Sequence, residues 1–373
     1  MAAYPLPTDA DARAAEGEHS VGVLFAARLV GMPFTHLAHV AHPPPPFIGG
    51  SWNYWWQAHY LDAIVDAGLR RLRSGDHRGA LEHVRLGNRL VATVRVRNVG
   101  RFTNRFYDDM AWLALAIDRL RVLTGRLDGA QAPRRLRVAD QALTSRLRSA
   151  MTDDLGGGLF WNTTHDFKNV PATGPAALHL ARGGDLEAAR VLVDWVYARL
   201  LAPDTGLFLD GIRITAGGEH VVTDVYTYNQ GTMLGALIAL GDDASLERAG
   251  QVVSAVAARL TAPCGDQRPL VTHGGDDGGL FTGILVRYLA LAADQPSLDG
   301  AARSMARRLV LDTADCFWLG REERTLANGR WASVFSPDAA RPAAEAQPPG
   351  QVIELSTQLQ AWTTLEAAAT IRT

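Results

Sequence analysis

Two adjacent carboxylates, Asp108 and Asp109, stand between Phe106-Tyr107 and the apolar run MAWLALA. Asp-Asp also occurs at 153–154, 242–243 and 276–277, so the dipeptide alone carries little. Asp242-Asp243 leads into ASLERA and is adequately explained as a helix cap with a favourable dipole interaction. Asp153-Asp154 precedes a glycine run and reads as a turn. The pair at 108–109 differs from these two: it follows Phe106-Tyr107 and opens a helix that is apolar nearly all round. Glycoside cleavage needs two carboxyl groups flanking one bond, about 5–5.5 Å apart for a covalent, retaining route and wider for an inverting one. Sequence neighbours inside a helix do not face each other. At a helix start, however, the first residue is not helical, and the two side chains can splay around a sugar. The helix N-terminus favours one ionised carboxylate. Mutual repulsion raises the pKa of the other, which suits a general acid.

The elements that must hold such a pair are helices. Periodicity predicts twelve, over 17–32, 53–73, 77–96, 108–125, 134–150, 170–182, 185–201, 227–241, 243–261, 278–293, 298–316 and 353–371, with few convincing strands. Short turns at Ser74-Gly75-Asp76, Gly183-Gly184-Asp185 and Gly241-Asp242-Asp243 imply antiparallel hairpins. Amphipathic helices such as 134–150 alternate with nearly all-apolar ones such as TMLGALIAL. Wet and dry helices in alternation predict an inner ring of six wrapped by an outer ring of six. No linker divides the chain, so residues 1–373 read as one domain. The proline run at 43–46 reads as a stiff connection, and 336–350 as a mobile polar loop.

In such a ring the starts of all inner helices face one way. The segments 50–59, 102–109, 156–174, 224–231, 272–283 and 350–358 therefore converge on one mouth. Five of the eight Asn residues lie in them (Asn53, Asn104, Asn162, Asn169 and Asn229), as do four of the nine Trp. Amides, acids and rings around a concavity describe a sugar site, because amides and acids bind hydroxyls and rings stack on pyranose faces. Blander roles exist for each. Trp52, Trp55 and Trp56 suit core packing, Asn229 and Gln230 suit a helix cap, and His165 and His273 suit ordinary loop positions.

Of the 37 basic residues only Lys168 is lysine. A position that keeps Lys in an Arg-rich chain suggests a need for a compact ammonium instead of a planar fork. The formal net charge of −2 gives no excess of basic charge to suggest nucleic acid or an anionic membrane as the main partner. Cys264 and Cys316 are far apart and in no metal-ligand spacing. No apolar run is long enough for a membrane span, and the N-terminal residues lack a secretory pattern, so a cytoplasmic location is expected.

The phrases FYDDMAWLALA, GGGLFWNTTHDFKNVPATGPAALHLA, TYNQGTMLGALIAL, GGDDGGLFTGILVRYLALA and ELSTQ, in this order, resemble glycoside hydrolase family 76, the endo-α-1,6-mannanase family. The resemblance runs from about residue 50 to 370 and implies an all-α (α/α)6 barrel. It also implies a retaining mechanism with Asp108 as nucleophile and Asp109 as acid/base, without metal or cofactor. Trp161, Asn162, Lys168, Asn169, Tyr228, Asn229 and Gln230 match positions expected to line the cleft. Asn53, Trp56 and Tyr107 join them from the mouth segments, and Asp210 and Asp277 are further candidates. Thr282 stands where the family commonly has Lys, which implies a missing substrate contact. The implied partner is an α-mannoside-containing oligo- or polysaccharide; a short α-mannoside, a glycolipid precursor or an imported oligosaccharide fits a cytoplasmic enzyme. Transglycosylation would use the same residues. Two other readings stay open at this point. A sugar epimerase or isomerase needs a histidine pair, for which His165 and His273 are the mouth candidates. A non-catalytic glycan-binding protein would use the two acids only as hydroxyl ligands.

Overall fold

The structure, a computed structural model, describes residues 9–44, 52–128 and 133–371. Among them are thirteen helices: α1 (Ala10–Phe25), α2 (Tyr54–Arg73), α3 (His77–Arg97), α4 (Tyr107–Asp128), α5 (Arg134–Arg148), α6 (Val170–Arg182), α7 (Leu186–Leu200), α8 (Thr227–Leu240), α9 (Asp243–Arg259), α10 (Gly278–Asp294), α11 (Gly300–Leu319), α12 (Ala343–Ala346) and α13 (Leu355–Ala368). Twelve are long, as the periodicity predicts, and α12 is a single turn. The first is displaced from the expected 17–32: it begins at Ala10, and after Phe25 the chain turns extended, with Ala26–Ala27 pairing Leu37–Ala38. Gly31 and Pro33 lie in this stretch, and Val30 has φ +49°, so helix cannot continue there. Of the expected proline connection, Pro45 and Pro46 lie outside the described residues, as do Gly50 and Ser51 of the first mouth segment.

The hairpin turns form as their residues dictate. Gly75, Gly184 and Gly241 take left-handed φ values of 80°, 88° and 72°. Each is followed by an Asp that caps the next helix: Asp76 accepts from Gly79 N, Asp185 from Ala188 N, and Asp242 from Ser245 N. The helices α2, α4, α6, α8, α10 and α13 pack in sequence and close back on α2, while α1, α3, α5, α7, α9 and α11 back them from outside. The chain is thus the expected toroid of two concentric rings. Two glycines let inner helices touch closely. A Cβ on Gly231 would lie 2.8 Å from Leu285 Cα, and one on Gly283 would lie 2.9 Å from Gln360 Cα.

Two features depart from the expected plan. The segment 336–350 is packed, not a free loop: Ser336, Ala339, Ala343 and Gln347 are buried. A three-stranded antiparallel sheet, Phe167–Asn169 with Gly211–Thr215 with Gly218–Val222, stands beside the start of α6. No helix among the described residues is long and apolar enough to cross a membrane.

Candidate active site

A cleft of about 790 Å3 opens at the N-terminal ends of the inner helices. Five of the six expected mouth segments line it, from the starts of α2, α4, α6, α8 and α10. The sixth braces the rim from outside, where Glu354 accepts a hydrogen bond from Asp276 N at 2.6 Å.

Asp108 and Asp109 occupy the first turn of α4. The preceding residues are zipped to the loop ahead of the sheet: Tyr107 N donates to Trp161 O and Thr163 N donates to Arg105 O. This pairing brings the Trp161 indole over the carboxyls, and its Nε1 donates to Asp108 Oδ2 at 2.9 Å. Asp108 Oδ1 is buried with no partner among the described residues. Asn104 Nδ2 donates to Asp109 Oδ2 at 2.6 Å, while Asn104 Oδ1 is fixed by Phe106 N. Across the cleft, Asp277 Oδ1 accepts from both Trp55 Nε1 (3.0 Å) and Trp56 Nε1 (2.8 Å).

Burial dominates the electrostatics. It pushes Asp108 up to about 7, although the Asp109 backbone N–H and the Trp161 indole N–H favour its ionised form. Asp109 is raised well above the usual carboxylate range by burial and by the Asp108 charge beside it; Asn104 opposes the rise and Asp277 adds to it. The two carboxyls share one site and titrate together, both held above the usual carboxylate range. Asp210 is raised to about 6, mainly by burial, and the Asn229 amide opposes this through a 3.1 Å bond to Oδ1. Tyr228 is held protonated by burial and by the charges of Asp210 and Asp108. Its ring stacks on Phe281 at 3.9 Å and 1°, with Trp112 at 6.3 Å, to form an aromatic wall. Behind the lining, His59 packs against Trp55 and Trp112, and burial lowers its pKa to about 3.

Eight of the candidate residues meet in the cleft lining: Asn53, Asp108, Asp109, Trp161, Asn169, Asp210, Tyr228 and Asp277. Six do not line it, and each has a structural task. Trp56 is buried behind Asp277, which its indole N–H holds. Tyr107 is buried with the Arg146 guanidinium 5.2 Å from its ring centre. Asn162 Oδ1 is taken by the backbone N–H and hydroxyl of Thr164. Asn229 supports Asp210, and Gln230 clamps the backbone of Phe208 and Tyr226. Lys168 is fully buried behind the site. Its ammonium donates to Thr152 O and Oγ1 and to the carbonyls of Asp154, Gly157 and Gly158, at 2.6–3.3 Å. Thr282 also lies outside the cleft, buried, with Oγ1 donating to Val271 O at 2.7 Å.

The two mouth histidines form no proton-transfer pair. His165 stacks on Phe160 at 4.5 Å, and His273 Nε2 accepts from Thr227 N at 3.3 Å. Residues beyond the expected set complete the lining, among them Trp112, Phe281, Arg105, Phe167 and Arg213. Arg105 and Arg213 lie over the rings of Phe106 and Phe167, at 4.7 and 4.1 Å, on either side of Trp161. The alternation GIRIT before Gly217-Gly218 is the hairpin signal that points to the Arg213 strand.

The model of glycosyl hydrolase family 76 matches residues 38–308. The α-1,6-mannanase GH76A of Salegentibacter sp. HEL1_6 superposes with a TM-score of 0.79 at 27% identity, over 97% of this chain and 99% of that one. A variant of that enzyme, inactivated by replacing two consecutive aspartates with alanine and solved with α-1,6-mannotetraose, superposes with a TM-score of 0.78 over the same shares at 27% identity. The Lin0763 protein of Listeria innocua shares the fold, with a TM-score of 0.78 at 23% identity over 97% of each chain. No protein of curated function matches. A family model spanning 38–308, an (α/α)6 toroid and a carboxylate-lined mouth agree: the chain belongs to glycosyl hydrolase family 76 and is a glycoside hydrolase.

Proposed function

We propose that the enzyme cleaves α-1,6-mannosidic linkages with retention of configuration, Asp108 acting as nucleophile and Asp109 as acid/base. The observation that carries this reading is the asymmetry of Asp108: Oδ2 is held by Trp161, and Oδ1 is buried with no partner. A carboxylate in the cleft lining that is oriented by a neutral donor and paired with no cation keeps its charge for an anomeric carbon. Asp109, kept protonated by burial and by its neighbour's charge, donates its proton to the departing glycosidic oxygen as the C–O bond breaks and the Asp108–C1 bond forms. Asp109, now ionised, then takes a proton from water, whose oxygen attacks C1 and releases Asp108. A sugar hydroxyl replacing that water would give transglycosylation. The Salegentibacter enzyme supports the linkage, since its inactive variants are described in complex with α-1,6-mannotetraose and α-1,6-mannotriose. The wall of Tyr228, Phe281 and Trp112 supplies ring faces for pyranose stacking, and Asp277 and Asp210 supply acceptors for hydroxyls.

The decisive measurement is proton NMR of the first product formed from α-1,6-mannotetraose. An α-anomer appearing first, followed by mutarotation, is expected. A β-anomer appearing first removes the nucleophile from the scheme, and absence of cleavage across α-mannosides removes the substrate class.

A further inference from the structure

The net charge of −2 conceals a strong local asymmetry. The chain contains 39 acidic residues, yet none lies in 19–61 or in 83–107. The second stretch carries Arg85, Arg89, Arg95, Arg97, Arg101 and Arg105, the first adds Arg28, and the remainder of the chain is correspondingly acidic. Arg28, Arg85, Arg89, Arg95 and Arg101 are exposed, and none forms an ion pair with a carboxylate among the described residues.

Large apolar side chains are exposed on the same rim: Val30 at 68%, Met32 at 41%, Phe34 at 80%, Val96 at 56% and Val99 at 89%. Elsewhere among the described residues such side chains are scattered, as is normal for a protein surface. The two groups are neighbours, because His36 N donates to Thr93 Oγ1 at 2.9 Å, one helical turn before Val96. The loop is shaped by its own contacts: Leu29 N donates to Thr35 Oγ1, and that hydroxyl donates to Met32 O. Val30, Phe34 and Val99 have φ values of +49°, +62° and +54°, a conformation costly for bulky and β-branched residues. Strained backbone that holds apolar side chains in water has no stabilising role in the monomer.

The rim borders the mouth. Asn98 lines the cleft while its Nδ2 donates to Arg101 O, and the Arg97 guanidinium lies 5.7 Å from the ring centre of Trp52, another lining residue. We propose that this rim, formed by the 28–36 loop and the C-terminal end of α3, docks the enzyme on an anionic lipid bilayer with the cleft beside the lipid surface. Phe34, Val30 and Val99 enter the headgroup boundary, and the exposed arginines meet lipid phosphates. The charge pattern selects this occupant: a rim built from two stretches without a single carboxylate, in an otherwise acidic chain, is drawn to an anionic plane and places the mouth beside it.

The test is co-sedimentation of the full chain with vesicles of phosphatidylglycerol and phosphatidylcholine, against vesicles of phosphatidylcholine alone. Binding about tenfold tighter to the anionic vesicles is expected, weakened by salt. A Phe34→Ser/Val99→Ser variant and an Arg89→Glu/Arg101→Glu variant should each lose about tenfold in vesicle affinity. Both should cleave α-1,6-mannotriose in solution as the parent does. The proposal is overturned if the parent does not sediment with anionic vesicles, or if the variants sediment equally. It is also overturned if these substitutions instead abolish a concentration-dependent dimer in analytical ultracentrifugation. Vesicle binding is scored without hydrolysis, so its failure leaves the glycosidase assignment untouched, and the reverse.

Discussion

Two groups of buried carboxylates sit on the same inner ring and behave in opposite ways. Deep on the axis, Asp62 and Asp66 of α2 are clamped by Arg119 of α4 and Arg287 of α10. Burial raises Asp62, but the two guanidiniums overcome it and bring the carboxyl down to about 2. At the mouth, Asp108 and Asp109 meet neutral N–H donors, while Arg105 and Arg213 lie over aromatic rings. There burial wins, and both carboxyls rise. A cavity of about 970 Å3 at the opposite end of the barrel also sets its acids against cations: Asp140 is bonded by Arg121, which also lies 3.7 Å from Asp118, and Asp185 is paired with Arg148, although burial and the Asp118 charge still raise Asp140. Burial of an acid is therefore no sign of chemistry by itself. Burial without a cation is.

The largest test of this contrast is to remove one charge from each group. Asp108→Asn should lower kcat on α-1,6-mannotetraose by roughly 10³-fold or more while the fold is kept, as circular dichroism would verify. Arg287→Met should do the reverse, costing about 3–5 kcal/mol of stability in urea unfolding because it leaves buried Asp62 and half-buried Asp66 short of a partner. Lys168→Arg should cost about 2 kcal/mol, since a planar guanidinium cannot satisfy five oxygens gathered around one nitrogen. It should also raise KM through the displaced Trp161 loop. The smallest effect is pH-dependent. A carboxyl whose folded pKa is about 7 binds its proton more tightly in the native chain than in the unfolded one, so the native state loses stability as pH rises from about 4 to 7. Asp108→Asn removes that loss and should be more stable than the parent at pH 8, by on the order of 1 kcal/mol, with no difference below pH 4. A variant less stable than the parent at pH 8 would contradict the contrast.

The ring is legible in the sequence because inner and outer helices differ in apolar circumference, as TMLGALIAL differs from PRRLRVADQALTSRLRS. The mouth follows from it, since hairpins of one hand put every inner start on one side. What local pattern cannot supply is which mouth residue faces inward. Asn162, Asn229 and Gln230 share motifs with Trp161 and Tyr228, yet their amides are spent on the backbone and on Asp210. Lys168 is conspicuous by composition, but the oxygens that require it lie 10–16 residues upstream and meet it only after the chain turns. The sheet carrying Arg213 escapes a reading tuned to helices because its strands are only three to five residues long.

The lysine buried under the glycine turn also makes the protein its own conformational reporter. It is the single ε-amine in the chain and is 0% exposed. A lysine-specific endoproteinase therefore has one cleavage site, closed in the native state. It can act only when the 152–158 turn opens and releases the ammonium. The rate of that single cut, with and without a mannoside in the cleft, measures how far sugar binding at Trp161 rigidifies the turn behind it.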